Sequence, residues 1–343
     1  MTNDGKKPSH IKRGRVFYSF HPILGVLKRR RLHSTITSTE GTELIIDTES
    51  HIFWWARNHY TTGLSMIRHY TWHEHSSELF LAEMENAGVD MAFVISYDAE
   101  DVKWSSEQRG YALEDFAGGK KYTKKGCERD PKRLLWFSTI KNPDHYPSSK
   151  IVEADLKEGA KGIKVFPGFI QKALNHPELI ESFRICSQHN APVLISLEVL
   201  RPPLTLGLNE YVQQLGQVLD MFPKSKFCLL HAGCADPLTP KFEPISRLMD
   251  HHDNLYLSTA FPGEVWDDGS EYPFPNYLRR IEEIVKRVGT SRTMWGTDWP
   301  WFEWAFKYQQ GVNAILRHAH FLSEDQKREF MGESAIRFLN TKS

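Results

Sequence analysis

The sequence predicts an α/β chain of the (β/α)8 barrel type, and three observations lead there. Eight short apolar runs recur between residues 44 and 298, several of them β-branched or aromatic and apolar almost throughout, as parallel strands buried on both faces must be. Stretches of helical periodicity separate them, so strand and helix alternate along the chain. The runs nearest the two ends of the chain both finish in metal-binding side chains, Glu49 and His51 at the first and Asp298 at the last.

The predicted strands cover residues 44–47, 91–96, 134–140, 162–166, 192–197, 226–231, 255–259 and 293–298. Between the first two, Phe80, Leu81, Met84 and Ala87 form an apolar stripe over residues 77–87, and Gly88 supplies a helix stop. Residues 278–288 and 325–339 carry the same periodicity. Three connections, 99–131, 201–209 and 261–275, are too long for simple turns. They follow the second, fifth and seventh strands, which puts them at the C-terminal mouth as lids or substrate walls.

At 343 residues the chain exceeds the roughly 250 of a typical barrel. Residues 1–42 are therefore expected as an N-terminal extension and 43–343 as the barrel. The run Lys28-Arg29-Arg30-Arg31 in the extension is expected as a solvated arm, or as one that packs on a neighbouring subunit. A homodimer is the corresponding expectation. With 43 basic and 43 acidic side chains there is no overall charge to serve a nucleic-acid footprint. No apolar run reaches the roughly 20 residues of a membrane span, and the N-terminus lacks a signal-peptide pattern. Cys127, Cys186, Cys228 and Cys234 form no C-x-x-C pair and read as reduced thiols. A soluble, cytoplasmic protein with a small-molecule substrate is expected.

Glu49 and His51 lie two apart, so on a strand both side chains take one face. His231 ends the sixth run and Asp298 the eighth, which closes the barrel beside the first. Each has a plainer explanation taken singly: Glu49 as a salt-bridged barrel residue, His51 and His231 as hydrogen-bonded histidines, Asp298 as a strand-ending cap. Convergence at three strand ends points instead to catalysis, because barrel enzymes work at that face. Two carboxylates with imidazole suit a divalent ion, Zn or alternatively Mn or Fe. Lys164 shares a face with Phe166 and is expected to pair with a substrate carboxylate or with Glu49. Trp54, Trp55 and Arg57 follow His51, while Trp299, Trp301, Phe302 and Trp304 follow Asp298. Among these, Trp54, Arg57 and Trp299 are candidates for contact with a planar or carboxylated substrate, with loop packing or a dimer interface as the alternative. His73, His75 and the pair His251-His252 are expected as surface or lid residues.

These motifs together resemble the metal-dependent amidohydrolase superfamily, in the branch related to aminocarboxymuconate-semialdehyde decarboxylase. Asp47 with Glu49 and His51 matches the strand 1 motif, an aspartate followed by H-x-H or E-x-H. Ala87-Gly88-Val89-Asp90 matches the phrase before strand 2, and Gly162-Ile163-Lys164 with Pro167 matches strand 4. His231 with Gly233 matches strand 6, Gly296-Thr297-Asp298-Trp299-Pro300 matches strand 8, and residues 332–339 match the closing helix. The resemblance spans about residues 44 to 340. It also implies a metal-binding histidine at the end of strand 5, where this chain has Ser196. Three possibilities stay open there: Glu198, two residues on, supplies the ligand; the metal is held weakly; or there is none.

The implied function is a metal-dependent hydrolase of a small cyclic or aromatic carboxylate-bearing compound. Glu49, His51 and Asp298, with Glu198, hold the ion in that reading, while Asp298 and His231 do the proton and charge work. The alternatives are non-oxidative decarboxylation of an aromatic acid, which the Glu-x-His form of the first motif suits, and a metal-free hydrolase or ligand-binding barrel.

Overall fold

The structure is a computed structural model and describes residues 44–55, 75–96, 116–117, 119–197, 206–262 and 269–339. Eight parallel strands form one sheet in the order β1 (Ile46–Ser50), β2 (Met91–Ile95), β3 (Leu134–Thr139), β4 (Gly162–Val165), β5 (Val193–Ile195), β6 (Phe227–Leu229), β7 (Leu255–Ser258) and β8 (Thr293–Met294). Sheet order follows chain order, as right-handed strand–helix–strand crossovers produce. β8 and β1 share no ladder. Backbone bonds join them instead: Thr48 N–H to Trp295 O at 3.1 Å, Asp298 N–H to Glu49 O at 2.7 Å and His51 N–H to Trp299 O at 2.7 Å. This is the predicted (β/α)8 barrel.

Several strands differ from expectation at their ends. The first begins at Ile46 and runs on through Glu49 to Ser50. The sixth stops at Leu229 and the eighth at Met294, because the backbone leaves the extended region soon after. His231 and Ala232 have φ of 54° and 53°, and Asp298 has φ of 57°. The long connection at 99–131 contains an α-helix, Lys120–Cys127, whose polar sequence shows no apolar stripe to reveal it. The closing helical stretch comprises Glu324–Arg328, a π-helical turn at Glu329–Glu333 and Ser334–Leu339.

The helix Ser77–Ala87 forms as predicted. Ser76 caps its start by accepting the Leu79 N–H, and Gly88 ends it at φ 77°, a conformation that needs no Cβ. It buries Phe80 and Met84 against the barrel wall. Phe80 stacks on Trp299 with ring centroids 4.5 Å apart and meets Tyr308 edge-on at 5.7 Å. Phe80→Leu is expected to destabilise the protein by roughly 1–2 kcal/mol, measured by denaturant titration, because part of the aromatic contact goes while most of the volume stays.

Inside the barrel, Ile46, Phe93, Phe137, Leu194, Cys228 and Met294 fill the space, with Phe338 closing the end where the strands begin. The interior is thus solid at the strand starts, and any chemistry is confined to the other end. Among the described residues no helix is long and apolar enough to cross a membrane.

Candidate functional site

Three side chains of the kind that could hold a metal ion converge at the C-terminal ends of the strands. One ligand atom each from Glu49, His51 and Asp298 lies within 4.8 Å of the others, and all three residues are buried. Glu49 comes from β1 and His51 follows it directly. Asp298 arrives on the turn after β8, its N–H held by the Glu49 carbonyl. β1 is irregular here: Asp47 pairs with Ala92 but Ser50 with Val94, three residues against two. Such a bulge re-aims side chains. Asp47 accordingly meets Tyr308 in the outer helical layer, whereas Glu49 meets Lys164 across the barrel. Close packing at the seam needs Gly296, since a Cβ there would lie 2.8 Å from Ser258 Oγ and 3.0 Å from Thr48 Oγ1.

The hydrogen bonds orient both histidines. Nδ1 of His51 lies 3.0 Å from the Ile95 carbonyl oxygen and Nδ1 of His231 lies 2.8 Å from that of Ala260. A carbonyl only accepts, so each Nδ1 carries the proton. Nε2 of His51 then faces Asp298 Oδ1 at 3.2 Å, and Nε2 of His231 faces Glu49 Oε1 at 3.6 Å. Two electron-rich atoms at 3.2 Å are reconciled by a further proton or by a cation between them. A histidine whose Nδ1–H is pinned to a carbonyl is also the usual state of a metal ligand.

Glu49 is shared. Its Oε1 accepts from Lys164 Nζ at 2.7 Å, and both side chains are fully buried. Its Oε2 is buried without a hydrogen-bond partner among the described residues. An orphaned carboxylate oxygen beside an imidazole and a second carboxylate fits a divalent cation of the Zn, Mn or Fe kind. Lys164 also lies over the Phe166 ring, its Nζ 4.2 Å from the centroid. Of the two partners expected for Lys164, the structure contains Glu49.

Beneath Glu49, burial pushes the Asp47 carboxyl up to about 7, against hydrogen bonds from Thr297, Glu49 and Tyr308 that pull it down. Burial raises the Cys228 thiol well above its ordinary range, and the Glu49 charge adds to this.

Ser196 follows β5, two residues after the interior Leu194, and is fully buried. Its Oγ has no hydrogen-bond partner among the described residues. Glu198, Arg57 and His73 lie outside the described residues, as does the side chain of Trp54. Trp299 is fully buried, stacked on Phe80 and donating its indole N–H to Glu303 Oε1 at 3.2 Å, so it forms part of the wall behind Asp298. His75 is half-buried and exchanges both backbone hydrogen bonds with Phe53. His251 and His252 lie at the end of the helix Glu243–His251, outside the barrel. The expectations singled out neither Tyr308 nor Thr297. Only the position of Thr297 beside Asp298 hinted at a role, and nothing local marked Tyr308.

The family model described as Amidohydrolase matches residues 71–341. No curated protein matches the chain. Among solved structures, it is similar to a Zn-bound amidohydrolase from Burkholderia multivorans (TM-score 0.62, 11% identity, covering 87% of this chain and 100% of that one). It is also similar to a probable 2-pyrone-4,6-dicarboxylic acid hydrolase from Acinetobacter baumannii with citric acid bound (0.59, 13%, 86% and 98%). A third is 5-carboxyvanillate decarboxylase from Novosphingobium aromaticivorans, complexed with manganese and 4-hydroxy-3-methoxy-5-nitrobenzoic acid (0.56, 17%, 86% and 96%). At these identities the likeness shows the fold alone.

Proposed function

The chain belongs to the amidohydrolase family, and on that premise we propose that it is a divalent-metal-dependent hydrolase of a small cyclic or aromatic carboxylate-bearing compound. The observation that carries this is the buried Glu49–His51–Asp298 group, with the His51 proton pinned on Nδ1 and Glu49 Oε2 left without a partner. Three protein ligands with a position left open is the pattern of catalytic rather than structural sites. Ser196 suits that pattern by adding no strong donor.

A bound divalent ion supplies Lewis acidity, which lowers the pKa of water or polarises a substrate oxygen. Asp298 takes the proton from the attacking water. His231, its Nδ1–H committed to Ala260 O, directs Nε2 into the site to orient that water or steady oxyanion charge. Lys164 holds Glu49 in place by donating to its Oε1. The left-handed backbone at His231 and at Asp298 holds both groups in sparsely populated conformations, a feature concentrated at functional sites.

A second reading is non-oxidative decarboxylation of an aromatic acid, supported by the Glu-x-His motif and by the likeness to a manganese-bound decarboxylase of a carboxylated phenol. The two are separated by incubating the Zn- and Mn-supplemented protein with 2-pyrone-4,6-dicarboxylate and other lactones, and in parallel with 2,6-dihydroxybenzoate and 5-carboxyvanillate. Metal-dependent ring opening supports hydrolysis and metal-dependent CO2 release supports decarboxylation. Turnover that persists unchanged in a chelator would overturn both.

A further inference from the structure

We propose that Asp47 is a positioning residue that sets the two carboxylates of the site, Glu49 and Asp298, at their working separation, a role that rests on the metal reading above. The β7–β8 ladder ends at Met294, four residues short of Asp298, and past it an isolated parallel bridge of Trp299 with Ser50 pairs this stretch with β1. Its backbone φ of 57° lies in the sparsely populated left-handed region, which aspartate tolerates better than most L-residues. Glu49, for its part, lies at the bulge in β1, where regular pairing is also interrupted.

One carboxylate bridges the two weak points. Asp47 Oδ1 accepts the Glu49 N–H at 3.1 Å and the Thr297 N–H at 2.9 Å. Its Oδ2 accepts the Thr297 hydroxyl at 2.6 Å and the Tyr308 hydroxyl at 3.0 Å. Thr297 Oγ1 in turn accepts the Trp299 N–H at 3.0 Å, so the backbone on both sides of Asp298 is tied to the same group. Asp47, Thr297 and Tyr308 are all buried, and four donors fill the roughly four lone-pair sites a carboxylate offers. Asp47 faces the outer layer, touches Glu49 through its backbone N–H, and acts on Asp298 through Thr297. It does the work of an outer-shell group, whose loss typically weakens metal binding about 10- to 100-fold.

The test compares wild type with Asp47→Asn and Tyr308→Phe in two ways. One is Zn2+ affinity, measured by competition with a colorimetric chelator well below the melting temperature. The other is a crystal structure of each metal-free protein. Asp47→Asn is expected to fold, to bind Zn2+ about 10- to 100-fold more weakly, and to show the ligand atoms of Glu49, His51 and Asp298 spread beyond 4.8 Å. Tyr308→Phe, which removes one of the four donors, is expected to give a smaller loss in the same direction. A lower melting temperature with Asp298 unmoved and Zn2+ affinity unchanged marks Asp47 as merely structural and overturns the positioning role. Should wild type bind no Zn2+, the metal reading falls, and movement of Asp298 between the crystal structures decides the positioning role alone. Should Asp47→Asn fail to fold, Thr297→Val is read by the same two measurements, since it removes the Thr297 hydroxyl contacts with Asp47 and Trp299 while keeping its N–H.

Discussion

Asp298→Asn is expected to leave the protein folded, strip it of its divalent ion and cut turnover by at least about 10²–10⁴-fold, the usual contribution of a positioned proton acceptor. Folding survives because asparagine shares with aspartate a tolerance of the left-handed backbone that Asp298 adopts at φ 57°. The bond from its own N–H to the Glu49 carbonyl is also independent of the side chain. What goes is one negative charge from a group of three ligand atoms within 4.8 Å, leaving Glu49 as its sole carboxylate. An amide cannot take a proton from water at neutral pH, so chemistry falls even where some metal is retained. Elemental analysis beside wild type checks the first part, and kcat on the substrate found by the panel above checks the second. About one Zn, Mn or Fe per chain in both proteins would remove Asp298 from the ligand set.

Lys164→Met is expected to cost about 3–5 kcal/mol, because it leaves the fully buried Glu49 carboxylate without its 2.7 Å partner. The pair itself adds little net stability relative to an apolar replacement, so the double variant Lys164→Met/Glu49→Gln is expected to recover most of the loss. Saturating Zn2+ or Mn2+ is expected to stabilise Lys164→Met more than wild type. The cation takes over the charge compensation that the ammonium provided, and binding to the folded state alone raises apparent stability. Thermal unfolding of the three proteins with and without metal measures all of this. A single variant as stable as wild type would mean that Glu49 is not held as a buried charge.

The eight strands and the placing of Glu49, His51, His231 and Asp298 at strand ends were legible in the sequence for a local reason. A strand buried on both faces must be apolar throughout, so a polar residue where the run stops marks the mouth of the barrel. Ser196 stood out only against the family resemblance, which implies a histidine at that position. The helix Lys120–Cys127 was not legible, because its eight residues, four of them lysine, carry no apolar stripe and Gly126 lowers its propensity. Trp299 was ambiguous, since an indole after a strand suits a substrate wall and a packed core equally; Phe80, more than 200 positions away, makes it part of the core.

What the linear pattern determined about this protein is therefore its architecture, its family and the identity of three converging side chains of metal-ligand type. Tertiary structure decided how those groups are held: the bulge that turns Glu49 inward while Asp47 faces Tyr308, the Lys164–Glu49 pair, and the pinning of each Nδ1 to a carbonyl. The physical reason is range. Burial and periodicity act on neighbours along the chain and leave their mark in composition. A hydrogen bond between Thr297 and Asp47 spans 250 positions and depends on how the last strand closes against the first.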